Sequence, residues 1–214
     1  NQIERIVQNS INFGLTLATR LAVLEAVADA ADEDPRAIAA LIRLLETDSV
    51  PEVRIAAAVA LGEMEAAEAV PALSNALRRD VDSRVRVAAA RALGEIEDPS
   101  AVEPLIEALS DQSPDARRAA INALNELDSE LAMPGYVVAL SDPNVEVRRR
   151  AAIALGDLDL QQAPPELVAA LSDEDPVVRV AAARSLGEIE DPNTADALAA
   201  ALNDSSPEVR QAAL

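Results

Sequence analysis

Apolar residues along this chain recur with a helical period rather than an alternating one. In the stretch 51–64, PEVRIAAAVALGEM, Val53, Ala57, Ala60, Leu61 and Met64 stand at i, i+4, i+7, i+8 and i+11, one face of an α-helix. The pattern returns at 83–96, 114–127, 145–158, 176–189 and 207–214, with a weaker copy at 17–30. Shorter apolar stretches at 38–46, 69–77, 101–109 and 197–202 predict a first helix ahead of these second ones. Proline at 51, 114, 143, 176 and 207 falls at or near the start of a second helix, where its missing N–H is no loss. The links 33–35, 97–100 and 190–193 place an acidic residue before proline, which is N-cap chemistry. Two first helices are predicted short or kinked, because Met133-Pro134-Gly135-Tyr136 and Pro164-Pro165 lie in or before them.

These segments are copies of one another. The arginines Arg54, Arg86, Arg117, Arg148, Arg179 and Arg210 are separated by 32, 31, 31, 31 and 31 residues, and Arg20 stands 34 before Arg54. That makes seven units. Glycine recurs after the Ala-Leu pair at Gly62, Gly94 and Gly156 and after Ser-Leu at Gly187, with Asn125 in its place once. An aspartate lies six residues before each shared arginine: Asp48, Asp80, Asp111, Asp142, Asp173 and Asp204. Gly14 breaks this rule ahead of Arg20. A pair repeated this strictly predicts a structural ladder of charge-assisted bonds, within a unit and to the next, that holds successive units in register.

The VRxAAAxALGxI second helix and the ~31-residue period resemble the HEAT-like repeats of the phycobilisome-lyase type, over roughly residues 15–214. The resemblance implies an all-α, right-handed α-solenoid of about seven helix pairs in a single domain spanning 1–214. Its units fall at 1–31, 32–65, 66–97, 98–128, 129–159, 160–190 and 191–214, the first divergent and the last incomplete. Because a solenoid end needs a polar cap, the break at Leu214 inside a second helix predicts that the protein continues or ends in a disordered tail. Asn1 in place of Met likewise reads as a start within a longer chain.

Composition narrows the chemistry. Of 214 residues 46 are alanine, while Phe13 and Tyr136 are the only aromatics, so the core is built of small aliphatic side chains packed closely on helices. Cys, His and Trp are absent, and all 18 basic residues are arginine. That excludes disulfides, Cys/His metal sites, His-dependent nucleophile pairs and lysine Schiff bases. No catalytic, cofactor or metal residue is predicted, and the chain is read as non-enzymatic. The apolar runs are too short to span a membrane and no secretion signal opens the sequence, so a cytoplasmic location is expected. A net charge of −20 with no lysine resembles the composition of proteins from salt-accumulating halophiles such as haloarchaea; codon bias towards arginine would leave the same absence of lysine.

Second helices line the concave face of such a solenoid, and the positions one, five and nine after each shared arginine point to solvent. There Ile55, Val59 and Val87 form an apolar patch. Arg84, Arg91, Arg118, Arg149, Arg150 and Arg184 form a basic stripe, edged by Asp29, Glu63, Glu95, Glu126, Asp157 and Glu188. The reading is a docking face for another protein with an acidic or mixed-charge segment, arginine forks serving as anchors. Ordinary i, i+4 pairing of Arg91 with Glu95 and of Arg184 with Glu188 is the simpler use of these charges. The net field and the lack of aromatic platforms count against nucleic acid. The clusters Glu95/Glu97/Asp98 and Glu188/Glu190/Asp191 lack EF-hand spacing and read as solvated caps. The family resemblance keeps one alternative, a bilin lyase-like or chaperone-like helper of a pigment protein, although no residue suited to bilin chemistry is present.

Overall fold

Proline at a first helical position sets φ and loses no hydrogen bond; four second helices of this protein start on one, and a fifth starts at Val145, two residues after Pro143. The computed structural model describes residues 16–29, 36–127 and 130–214. Among them are thirteen α-helices and no strand. In the N-terminal part these are α1 (Leu17–Asp29), α2 (Arg36–Thr47), α3 (Pro51–Glu63), α4 (Val70–Arg79), α5 (Ser83–Ile96) and α6 (Val102–Ala108). The C-terminal part holds α7 (Pro114–Glu126), α8 (Met133–Ala139), α9 (Val145–Asp157), α10 (Pro165–Ala169), α11 (Pro176–Ile189), α12 (Ala195–Ala201) and α13 (Pro207–Ala212). Odd-numbered helices are the second helices of the repeats and even-numbered ones the first. The architecture is an all-α solenoid of HEAT-like helix pairs.

The contacts fall into two compact units, 1–108 and 109–214. In the first, α3 packs along α5, with α2 and α4 behind them. In the second, α9 lies between α7 and α11, and α11 packs on α13. Alanine and leucine fill both cores: Ala57, Leu61, Ala89 and Leu93 in one, Ala120, Leu124, Ala152, Leu155, Ala182 and Leu186 in the other, all essentially without exposed surface. Burying each leucine contributes roughly 2 kcal/mol, and alanine lets helix backbones approach.

The repeated glycine serves that approach. A Cβ on Gly62 would stand 2.8 Å from the Cα of Ala92, and one on Gly156 would stand 2.6 Å from the Cβ of Ser185. The carboxylates of Glu95 and Glu188 lie over these two glycines. The short first helices expected at Pro134 and Pro164-Pro165 are seven and five residues long. The acidic links also act as expected: Asp98 accepts from the Ser100 N–H at 2.8 Å and Asp191 from the Asn193 N–H at 2.9 Å. The link at 33–35 lies outside the described residues.

Candidate functional site

The arginine and aspartate common to the repeats come together in one geometry. The shared arginine sends Nη1 back to the main-chain carbonyl of its own unit's aspartate: 2.9 Å for Arg54 to Asp48, 2.9 Å for Arg86 to Asp80, 2.7 Å for Arg117 to Asp111 and 2.9 Å for Arg148 to Asp142. Arg179 to Asp173 and Arg210 to Asp204 repeat it at 2.9 and 2.7 Å. The rest of the fork faces the next unit. Arg54 is bidentate on the Asp80 carboxylate at 2.7 and 2.8 Å, Arg148 on Asp173 at 2.9 and 3.1 Å, and Arg179 on Asp204 at 2.9 and 3.0 Å. Arg117 reaches Asp142 at 2.6 and 2.7 Å, and Arg20 reaches Asp48 at 2.7 Å.

Each aspartate also accepts from the N–H two residues on, at 2.7–2.9 Å, and so shapes the turn that starts the second helix. The hydrogen bond it donates to Asp80 raises the Arg54 guanidinium above its ordinary value, and that donated to Asp173 does the same for Arg148. These groups are consumed by the scaffold and leave the outward positions to make any binding surface.

On α3 and α5, Ile55 and Val87 are half-buried and Val59 is 42% exposed. Arg84 is exposed but held by Asp82 at 2.7 Å and by Glu52 at 3.0 Å; Asp82 in turn is drawn down to about 2, first by the hydrogen bond from the Arg84 side chain. Arg91 makes no ion pair with a described residue. In the C-terminal unit Arg118 pairs with Asp115 at 2.9 Å. Arg149 and Arg150 share Glu146 at 2.6 and 3.1 Å. Glu146 is lowered to about 2, chiefly by the Arg149 hydrogen bond and further by Arg150. Arg184 is exposed and makes no ion pair with a described residue. The i, i+4 pairings of Arg91 with Glu95 and Arg184 with Glu188 do not form within ion-pair distance.

The outward positions of α9 and α11, together with the start of α13, enclose a groove of about 530 Å³. Ile153, Val177, Val180 and Ala181 supply apolar surface, Arg149 and Arg184 cross it, and Asp157 and Glu188 edge it. Ile153 and Val180 stand five and one residues after shared arginines, so the repeat phase does point at them. Val177, 51% exposed, and Ser206 and Glu208 at the start of α13 lie outside that phase. Behind the groove, Tyr136 is fully buried; its hydroxyl lies 3.0 Å from the Asn125 side-chain oxygen, while the Asn125 amide donates to Asp157 at 2.9 Å.

Among the described residues no group of three acidic or other ligating side chains is placed to hold a metal ion. No described helix is long and apolar enough to cross a membrane.

A profile described as HEAT repeats matches residues 17–91, 70–135 and 133–214. No curated protein sequence matches the chain. Among solved structures, the archaeal HEAT-like repeats protein from Thermococcus onnurineus aligns with 16% identity and a TM-score of 0.64, covering 99% of this chain and 94% of that one. The complex of CpcE and CpcF of phycocyanin lyase from a Nostoc species aligns with 27% identity and a TM-score of 0.59, covering 99% and 85%. An engineered protein aligns with 23% identity and a TM-score of 0.58, covering 89% and 99%. Arrays of such helix pairs present extended surfaces and serve as scaffolds for other proteins. By the matches across nearly all of its described length, the chain belongs to the HEAT-repeat family.

Proposed function

We propose that this protein is a non-enzymatic adaptor that holds a partner protein against its second-helix face. The observation that carries the reading is the groove over α9, α11 and α13, where partly exposed apolar side chains stand beside Arg184, which has no ion-pair partner among the described residues. Val177 and Val180 would be covered by apolar groups of the partner, and Arg184 would meet a carboxylate of a mixed-charge segment. On the N-terminal unit, Val59 and Arg91 offer the same chemistry on a smaller scale, flanked by Ile55 and Val87. Arg84, Arg118, Arg149 and Arg150 would contribute only by giving up the carboxylates they already hold. The adaptor works in the cytoplasm, and its −20 charge suits concentrated salt, where the Debye length falls to ~3 Å and self-repulsion fades.

Affinity capture from the source cell lysate in molar KCl tests the adaptor reading. The unaltered chain should retain a partner that a Val177→Ser/Val180→Ser variant loses. Equal retention by both chains would end it. The likeness to the phycocyanin lyase complex supports a second reading, a helper that acts on a pigment protein. A visible absorbance shift on mixing with a bilin, saturating at equal concentrations, would select that reading over the first.

A further inference from the structure

Taking the adaptor reading as its starting point, we infer that the groove over α9, α11 and α13 receives a basic amphipathic helix of the partner, apolar stripe inward and lysines or arginines along one edge. The charge inventory of the groove sets the sign. Arg149 is engaged by Glu146 at 2.6 and 2.8 Å, so Arg184 is the one cation of the lining without an ion-pair partner among the described residues. Against it stand three exposed carboxylates, Asp157, Glu188 and Glu208, whose bonds are to neutral donors or to none. Asp157 accepts from the Asn125 amide and Glu208 from the Ser206 hydroxyl at 2.6 Å. The groove is therefore left with an excess of negative charge beside an apolar floor, although counting arginines along the sequence suggests the opposite.

The secondary structure of the occupant follows from its backbone. The walls are side chains of three helices and offer no free strand edge. An extended segment pressed into them would bury main-chain N–H and C=O groups without partners, whereas a helix satisfies its own. Three neighbouring helices spaced ~10 Å apart span about 20 Å, which a helix of about 13 residues crosses at 1.5 Å per residue. Ile153, Val177 and Val180 would then take apolar side chains from successive turns. Asp157 and Glu188 line the edge where the basic residues lie, and Arg184 donates to a single carboxylate.

The test uses the 214-residue chain and four fluorescent 18-residue peptides, read by anisotropy at fixed salt. One is an amphipathic helix with a leucine stripe edged by lysines. The second replaces each lysine by glutamate. The third scrambles the first so that no stripe remains. The fourth interrupts the first with a central proline. The lysine peptide should bind at least about tenfold more tightly than the other three. Val177→Ser should weaken it about threefold or more. Glu188→Arg should weaken the lysine peptide and strengthen the glutamate one.

Val177 is half exposed, so its variant should retain the helical circular dichroism of the parent. Tighter binding of the glutamate peptide, still sensitive to Val177→Ser, would overturn the basic occupant and leave the adaptor face in place. Equal binding of the scrambled peptide would reduce the effect to bulk charge and overturn the inference. Equal binding of the proline peptide would overturn the helix. Binding of the lysine peptide that Val177→Ser does not change would remove the groove as the docking place. No binding of any peptide would overturn the inference, while lysate capture judges the adaptor reading separately.

Discussion

Helices α3 and α5 in the N-terminal unit and α9 and α11 in the C-terminal unit are written in nearly the same letters, yet their outward faces differ. In both pairs a glycine admits the neighbouring helix, and a glutamate of that helix lies over it. On α3 and α5 two glutamates face each other: burial and then the Glu63 charge push the Glu95 carboxyl above its ordinary value, with Arg91 opposing. On α9 and α11 the first of these carboxylates is Asp157, which the Asn125 amide engages, and the face opens into a groove. Packing dictates the inward residues of both pairs almost completely and the outward ones hardly at all. Use is therefore written in the outward positions.

Substitutions at matching positions separate what the two pairs share from what they do not. Arg54→Ala and Arg148→Ala each strand a part-buried aspartate, its side chain only 9% or 11% exposed, and should each cost about 3 kcal/mol in urea denaturation. A cost below ~1 kcal/mol in either, the size of an exposed pair, would mean that the two units are not held alike. Gly62→Ala and Gly156→Ala drive a methyl into a neighbouring helix and should each lose about 2 kcal/mol. Gly187→Ala meets nothing within 4 Å and should gain about 1 kcal/mol from helix propensity. If all three moved in one direction, close approach would not be why the glycine recurs.

Glu97 and Glu190 end α5 and α11 at φ of 54° and 53°, in the left-handed region that glycine prefers. Glu97→Gly and Glu190→Gly should each raise thermal stability by about 0.5 kcal/mol.

Acid gives the smallest effect. Asp82 on the N-terminal unit and Glu146 on the C-terminal one are both held at about 2 in the fold. Their contribution is complete above the unfolded carboxylate range near ~4 and is lost as pH falls through about 2. Glu95, being raised, acts in the opposite sense, and its ionised form weakens the fold as pH rises. Glu146→Gln should flatten the acid limb of a melting-temperature profile, and Glu95→Gln should lift the neutral plateau. An unchanged profile for Glu146→Gln would show that its two arginines are not held by it in solution.

Helix positions were largely legible because a period of 3.6 marked by alanine, leucine and terminal proline has few other readings. The second helices expected at 83–96 and 176–189 match α5 and α11 residue for residue. What the outward arginines hold was not legible from spacing alone. Arg91 and Arg184 suggest partners one turn ahead, at Glu95 and Glu188, but helical side chains lean back towards the N-terminus. The pairs that form take their acid from behind: Glu146 for Arg149 and Arg150, Asp115 for Arg118. Arg84 takes Glu52, 32 residues away, a contact that exists only once α3 and α5 are side by side. Val177 belongs to the groove for a similar reason, since its place depends on α13 closing over the start of α11.

The ladder has a consequence for how such a chain can change length. In the units of Arg148 and Arg179 the arginine is a plug facing forward and the aspartate a socket facing back, and both keep the same distance from the unit's main chain. Excising residues 143–173 would remove one plug and one socket together. Arg117 would keep Asp142, and Arg179 would find the Asp142 carbonyl where it now finds that of Asp173. Gain or loss of 31-residue blocks thus strands no charge, and copy number can drift through duplication while the joints between neighbours stay the same.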